Sequence, residues 1–67
     1  MLIKKSITIK RHRTSLSLEK EFWDALKIIS YKKKCSLETL ITKIDSKRKT
    51  SLASSIRVYI LKFYIKS

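Results

Sequence analysis

The stretch Arg13-Thr14-Ser15-Leu16-Ser17-Leu18 alternates polar and apolar residues one by one, and from Glu19 onward the apolar residues recur every three or four. The first period is that of a half-buried strand and the second that of an amphipathic helix. A single strand cannot satisfy its own backbone N–H and C=O groups, so it needs a neighbour. The chain offers few ways to supply stability from within. With 67 residues it forms one domain, and a domain this small buries only about 60% of the surface exposed when unfolded. Disulfides within the chain are excluded because Cys35 is the only cysteine, and Cys35 and His12 are the only soft metal ligands. No metal and no cofactor is expected. A second copy of the chain is the remaining source of stability and the expected source of the partner strand.

The formal charge of +12 is unevenly spread. All five acids lie between Glu19 and Asp45, while residues 1–18 carry Lys4, Lys5, Lys10, Arg11 and Arg13 without one. Residues 46–67 carry Lys47, Arg48, Lys49, Arg57, Lys62 and Lys66, again without an acid. Uncompensated cationic ends point to a polyanion. A lysine-rich composition inherited from an A+T-rich genome explains the same excess, and the chain has no Gly and no Pro. Charge therefore favours nucleic acid without settling it. No apolar run is long enough for a signal peptide or a membrane span, and a cytoplasmic location is expected.

Further along, the apolar residues of Ser6-Ile7-Thr8-Ile9-Lys10 sit at odd positions, whereas those of 13–18 sit at even ones. A bulge or bend near Arg11-His12 is expected to reset the phase. A two-residue turn is disfavoured because Asn-Gly chemistry is missing. Residues 1–12 read as a basic arm, with an extra strand as the alternative. The rest reads as strand 13–18 followed by helices at 20–33, 36–46 and 51–65. Phe22, Ala25, Leu26 and Ile29 stripe the first helix, and Trp23 and Ile28 widen it. Ser36 is the expected N-cap of the second, which is striped by Leu37, Leu40, Ile41 and Ile44. Thr50 or Ser51 caps the third, where Leu52, Ile56, Tyr59, Ile60 and Phe63 form the main stripe. Val58, Leu61 and Ile65 lie on another side of that helix, so burial against a second subunit is expected as well.

Nothing in the pattern supports catalysis. Glu19, Glu21 and Asp24 read as helix-start charges, His12 has no carboxylate nearby in sequence, and Cys35 reads as a small apolar side chain. Ser15 and Ser17 have no paired base. The strand is more informative, because Thr14, Leu16 and Leu18 share one face and Arg13, Ser15 and Ser17 the other. Paired antiparallel with its copy, it hides leucines and presents two sets of Arg and Ser to the major groove of B-DNA. An ordinary edge strand with a solvated Ser face explains the alternation equally well.

The segments HRTSLSLEKEFWDALKII, CSLETLITKID and SLASSIRVYIL, in that order, resemble the MetJ/Arc-type ribbon-helix-helix superfamily of bacterial and phage DNA-binding proteins. They are most similar to a small ribbon-helix-helix family common in alphaproteobacteria. The resemblance implies a mostly α fold, in which one short strand pairs across an intertwined homodimer and two helices follow. The third helix is an addition to that unit. By position it implies base reading by Arg13, Ser15 and Ser17, and phosphate contacts at Ser36, Lys33, Lys34 and Arg11. The implied dimer core comprises Leu16, Leu18, Phe22, Leu26, Ile29, Leu40, Ile44, Ile56 and Ile60. Arg57 is expected to face phosphate or an internal acid such as Asp45. Relatives often carry Gly at the positions of Arg11 and Lys34 and Pro at that of Lys20, so the arm and the first helix's end are where this chain departs.

The expected function is sequence-specific binding of double-stranded DNA by a homodimer acting as a transcriptional repressor, with a dimer of dimers on DNA as a possible assembly. An antitoxin is the first alternative, disfavoured because the C-terminal segment is apolar and helical rather than polar and extended. A charge-driven binder of nucleic acid or anionic surfaces is the second. No membrane partner is expected.

Overall fold

The opposite phases of the two alternating stretches are reconciled by a hairpin. In the computed structural model, which describes residues 1–66, β1 (Leu2–Ile9) pairs antiparallel with β2 (His12–Glu19), from Leu2 opposite Glu19 to Ile9 opposite His12. Lys10 and Arg11 form a two-residue turn with φ of 51° and 70°, the signature of a type I′ connection. Residues 2–9 form the extra strand that was the alternative to a basic arm. The reset is a two-residue turn rather than a bulge or bend, and β2 finds its first partner within its own chain rather than in a second copy. The physical reason is shared: folding back places Ile7 and Ile9 on the same face as Leu16 and Leu18, and all four are buried.

Three helices follow: α1 (Lys20–Lys32), α2 (Leu37–Lys47) and α3 (Leu52–Lys66). Helix α1 ends in a left-handed residue, Lys34, at φ 56°. The Cys35 amide donates to the Ser30 carbonyl and the Lys34 amide to the Tyr31 carbonyl, both at 3.1 Å. This is the double bond pattern of a Schellman cap, made without the usual glycine. Helix α2 starts as expected, with the Thr39 amide donating to Ser36 Oγ at 3.0 Å. Ser51 rather than Thr50 caps α3, accepting from the Ser54 amide at 3.2 Å.

The helices cover the apolar face of the hairpin. Leu16, Leu18, Leu26, Ile29, Leu40, Ile44, Ile56 and Ile60 form one buried cluster, joined by Ile7, Ile9, Trp23 and Ile41. Phe22, expected in a dimer core, is partly buried against this cluster in the single chain, whereas Trp23, expected to widen the α1 stripe, is 1% exposed. The presence of β1 explains the depth of Trp23: its indole Nε1 donates to the Ile3 carbonyl at 2.9 Å. The Lys5 ammonium lies 5.0 Å from the indole ring centroid, close enough for a cation–π contact. Helix α3 buries Ile56 and Ile60 but leaves Val58, Leu61, Tyr64 and Ile65 exposed. Only one side of this helix is therefore covered by its own chain.

Candidate nucleic-acid interface

Residues directly opposite one another in an antiparallel pair share a face. The register therefore puts Lys4, Ser6 and Thr8 of β1 beside Ser17, Ser15 and Arg13 of β2, on the face turned away from the helices. Lys4, Ser6, Arg13 and Ser15 are exposed, and Thr8 and Ser17 partly so. Arg13 and the two serines thus lie together on an open surface, as the alternation predicts. Lys4, Ser6 and Thr8 were missed as members of it. Their signal was present in the alternation of Ser6-Ile7-Thr8-Ile9, but only a hairpin brings that row alongside β2. Arg13 Nη1 lies 3.5 Å from Thr8 Oγ1, a contact at the outer limit of a hydrogen bond that leans the guanidinium towards β1.

The two edges of this small sheet differ. A two-residue hairpin closes on a hydrogen-bonded pair, here Ile9 and His12, and bonded and non-bonded pairs then alternate. The backbone groups of Thr8, Ser6 and Lys4 consequently point away from β2, and those of Arg13, Ser15 and Ser17 point away from β1. On the β1 side, helix α2 blocks the edge: the Thr8 amide donates to Glu38 Oε2 at 2.9 Å. On the β2 side, no strand follows. A hollow of about 470 Å³ runs beside that strand, with Leu16, Leu52 and Ala53 at its apolar part and His12, Thr14, Asp45 and Arg48 at its polar part. The open backbone edge beside it is a template for another strand.

The expected phosphate-contacting residues are distributed around this surface. Arg11 is exposed at the hairpin tip, and Ser36 is exposed at the start of α2. Ser36 Oγ already accepts from Thr39, while the Leu37 and Glu38 amides have no acceptor within the helix. Lys34 is exposed at its left-handed position. Lys33 is exposed too, but its ammonium lies 6.0 Å from the centroid of the Phe63 ring and is drawn towards α3. It lines a groove of about 670 Å³ between α2 and α3, which Lys43, Lys47 and Lys62 also border and which no strand residue reaches.

Glu19, Asp24 and Asp45 are paired with cations away from this face. Arg57 faces Glu19 rather than Asp45, with Nη2 3.0 Å and Nε 3.2 Å from Glu19 Oε1. The guanidinium also sits 5.6 Å from the Phe22 ring centroid. The backbone amide of Glu19 and the Arg57 guanidinium hold the Glu19 carboxyl below the usual carboxylate range. Asp45 instead accepts from Arg48 Nε at 2.7 Å. Asp24 pairs with Lys20 at 2.7 Å, which lowers the carboxyl and raises the amine. Among the described residues, no cluster of His, Cys, Asp and Glu is placed to hold a metal ion, and no helix is long and apolar enough to cross a membrane.

A family model described as a ribbon-helix-helix domain matches residues 2–64. No curated protein and no solved structure is detectably similar to the chain. Proteins of the matching family generally bind DNA as dimers and regulate transcription. The match spans the hairpin, α1, α2 and nearly all of α3, so this chain belongs to the ribbon-helix-helix domain family.

Proposed function

We propose that the protein is a homodimeric, sequence-specific DNA-binding repressor that pairs its β2 strands across the dimer and inserts that ribbon into the major groove. The observation that carries this reading is the asymmetry of the sheet. Helix α2 occupies the edge of β1, whereas β2 leaves the backbone of Arg13, Ser15 and Ser17 pointing outward beside a hollow that Leu16, Leu52 and Ala53 share with Asp45 and Arg48. Antiparallel pairing of two β2 strands satisfies those groups and brings Thr14 and Leu16 of each copy over the hollow of the other. The uncovered side of α3 offers further apolar area to the same partner.

In that arrangement the ribbon presents two copies of Arg13, Ser15 and Ser17. Arg grips guanine O6 and N7, and the hydroxyls bond to several bases. Arg11, Lys34, Lys33 and the start of α2 at Ser36 supply phosphate contacts. These contribute most of the affinity and none of the sequence choice. The core residues Leu16, Leu18, Leu26 and Leu40 support the ribbon from below.

Selection from random duplex DNA with the purified protein tests this directly. A palindromic consensus is expected, together with a dimer by analytical ultracentrifugation. Arg13→Ala should then weaken consensus binding by about 1–3 kcal/mol per lost bidentate contact and flatten the preference at one position of each half-site. Enrichment of no sequence at all would replace this reading with charge-driven binding.

A further inference from the structure

The outward row of β1 has no role in a two-stranded ribbon. Lys4 and Ser6 are exposed on the same face as the base-reading residues, one strand further from the open edge of β2. If the β2 strands pair, as the reading above holds, the sheet order across the dimer is β1, β2, β2 of the partner, β1 of the partner. Strands in a sheet lie about 4.8 Å apart, which puts the two outer strands about 14 Å from one another. The major groove is only about 12 Å wide. The outer strands therefore cannot follow the central pair to the base edges, and they come to rest over the two sugar–phosphate walls.

We infer that β1 is a phosphate-binding rail, in which Lys4 and Ser6 contact the DNA backbone on either side of the ribbon and read no bases. Charge and chemistry fit that role. An ammonium and a hydroxyl both donate to phosphate oxygens, and neither needs the planar geometry that base recognition demands. Two acids that adjoin β1 are engaged: Glu19, opposite Leu2, is held by Arg57, and Glu38 accepts from the Thr8 amide. The contact between Glu38 and Thr8 also fastens the start of α2 to the outer edge of this strand. The rail and the Ser36 end of α2 thus approach the same phosphate wall together.

The alternative use of the same residues is a ribbon made within one chain, where β1 and β2 enter the groove as a pair and Lys4 reads a base. Binding of the wild type and Lys4→Ala to the selected consensus duplex and to a scrambled duplex, measured by fluorescence anisotropy over a salt series, separates the two. The rail predicts that Lys4→Ala loses affinity for both duplexes by the same factor. The slope of log K against log salt should shrink by about 1.8, from two copies at about 0.9 per phosphate. Lys4→Arg should restore both quantities. A changed ratio of consensus to scrambled affinity would assign Lys4 to a base, and an unchanged affinity and slope would remove β1 from the interface; either result overturns the rail. A wild type without sequence preference, or one that binds as a monomer, refutes the dimeric ribbon itself and the rail with it.

Discussion

Replacing Lys34 by glycine should make the protein more stable, although it removes a long side chain and adds backbone freedom. Lys34 sits at φ 56° and receives no compensation from a side-chain hydrogen bond of the kind Asn supplies there. A left-handed residue with a Cβ costs roughly 1–2 kcal/mol. Against this, glycine loses about 0.5–1 kcal/mol more conformational entropy on folding. The balance is a gain of about 0.5–1 kcal/mol, or roughly 3–6 °C in melting temperature for a domain of this size. Removal of one cation from a chain of charge +12 also relieves repulsion, so Lys34→Ala is the necessary control: it removes the same charge and keeps the strain. Lys33, at φ −88°, is the second control, because glycine there relieves nothing and should lower stability. Melts followed by circular dichroism, without DNA and at one protein concentration, measure all three. The reasoning fails if Lys34→Gly melts no higher than Lys34→Ala, since the two differ only in the conformational term.

Two other predictions concern the hairpin and its anchorage. Lys10→Asn with Arg11→Gly supplies the residues that a type I′ turn prefers, and should raise the melting temperature by roughly 4–8 °C if about 1 kcal/mol of turn strain is relieved; an unchanged or lower value would mean that the turn is not strained. Because the Glu19 carboxyl is held below its unfolded value by its own amide and by Arg57, its contribution is complete above about pH 5 and is lost as pH falls through the folded value. Glu19→Gln should therefore melt below wild type at pH 7 by an amount that shrinks as pH falls below the ordinary glutamate value of 4.5, and a pH-independent difference would show that the ionised pair is not the cause.

The helices were legible because each carries its signals locally. Ser36 stands where its hydroxyl reaches the Thr39 amide, and the stripe Leu40, Ile41, Ile44 needs no knowledge of what covers it. Leu16 and Leu18 were likewise legible from period two alone. The full burial of Trp23 was not. It depends on β1, a strand twenty residues away whose Ile3 carbonyl satisfies the indole N–H. The pairing of Arg57 with Glu19 was hidden for the same reason: the two are 38 residues apart, and only the way α3 crosses β2 brings them together. Local chemistry is written in local sequence, whereas the partner of a buried polar group is a property of the assembled layers.

The hairpin is the instructive case, because its signal was present and was outweighed by a weaker one. In a hairpin whose loop has two residues, facing positions sum to an odd number, so one strand's buried residues are odd and the other's are even. Ile7 and Ile9 against Leu16 and Leu18 have that relation, and a three-residue loop would break it. The opposed phases that suggest a bulge therefore specify an even-numbered loop at least as well. The objection was that Lys10 and Arg11 are poor residues for positive φ, which costs on the order of 1–2 kcal/mol at each. Turning Ile7 and Ile9 outward instead would forgo burial of two large apolar side chains, about 1.5–3 kcal/mol apiece. It would also leave the backbone of β1 without the ladder it now shares with β2. Two strained cations at a turn are the smaller cost, so face parity decides the topology and turn preference only tunes its stability.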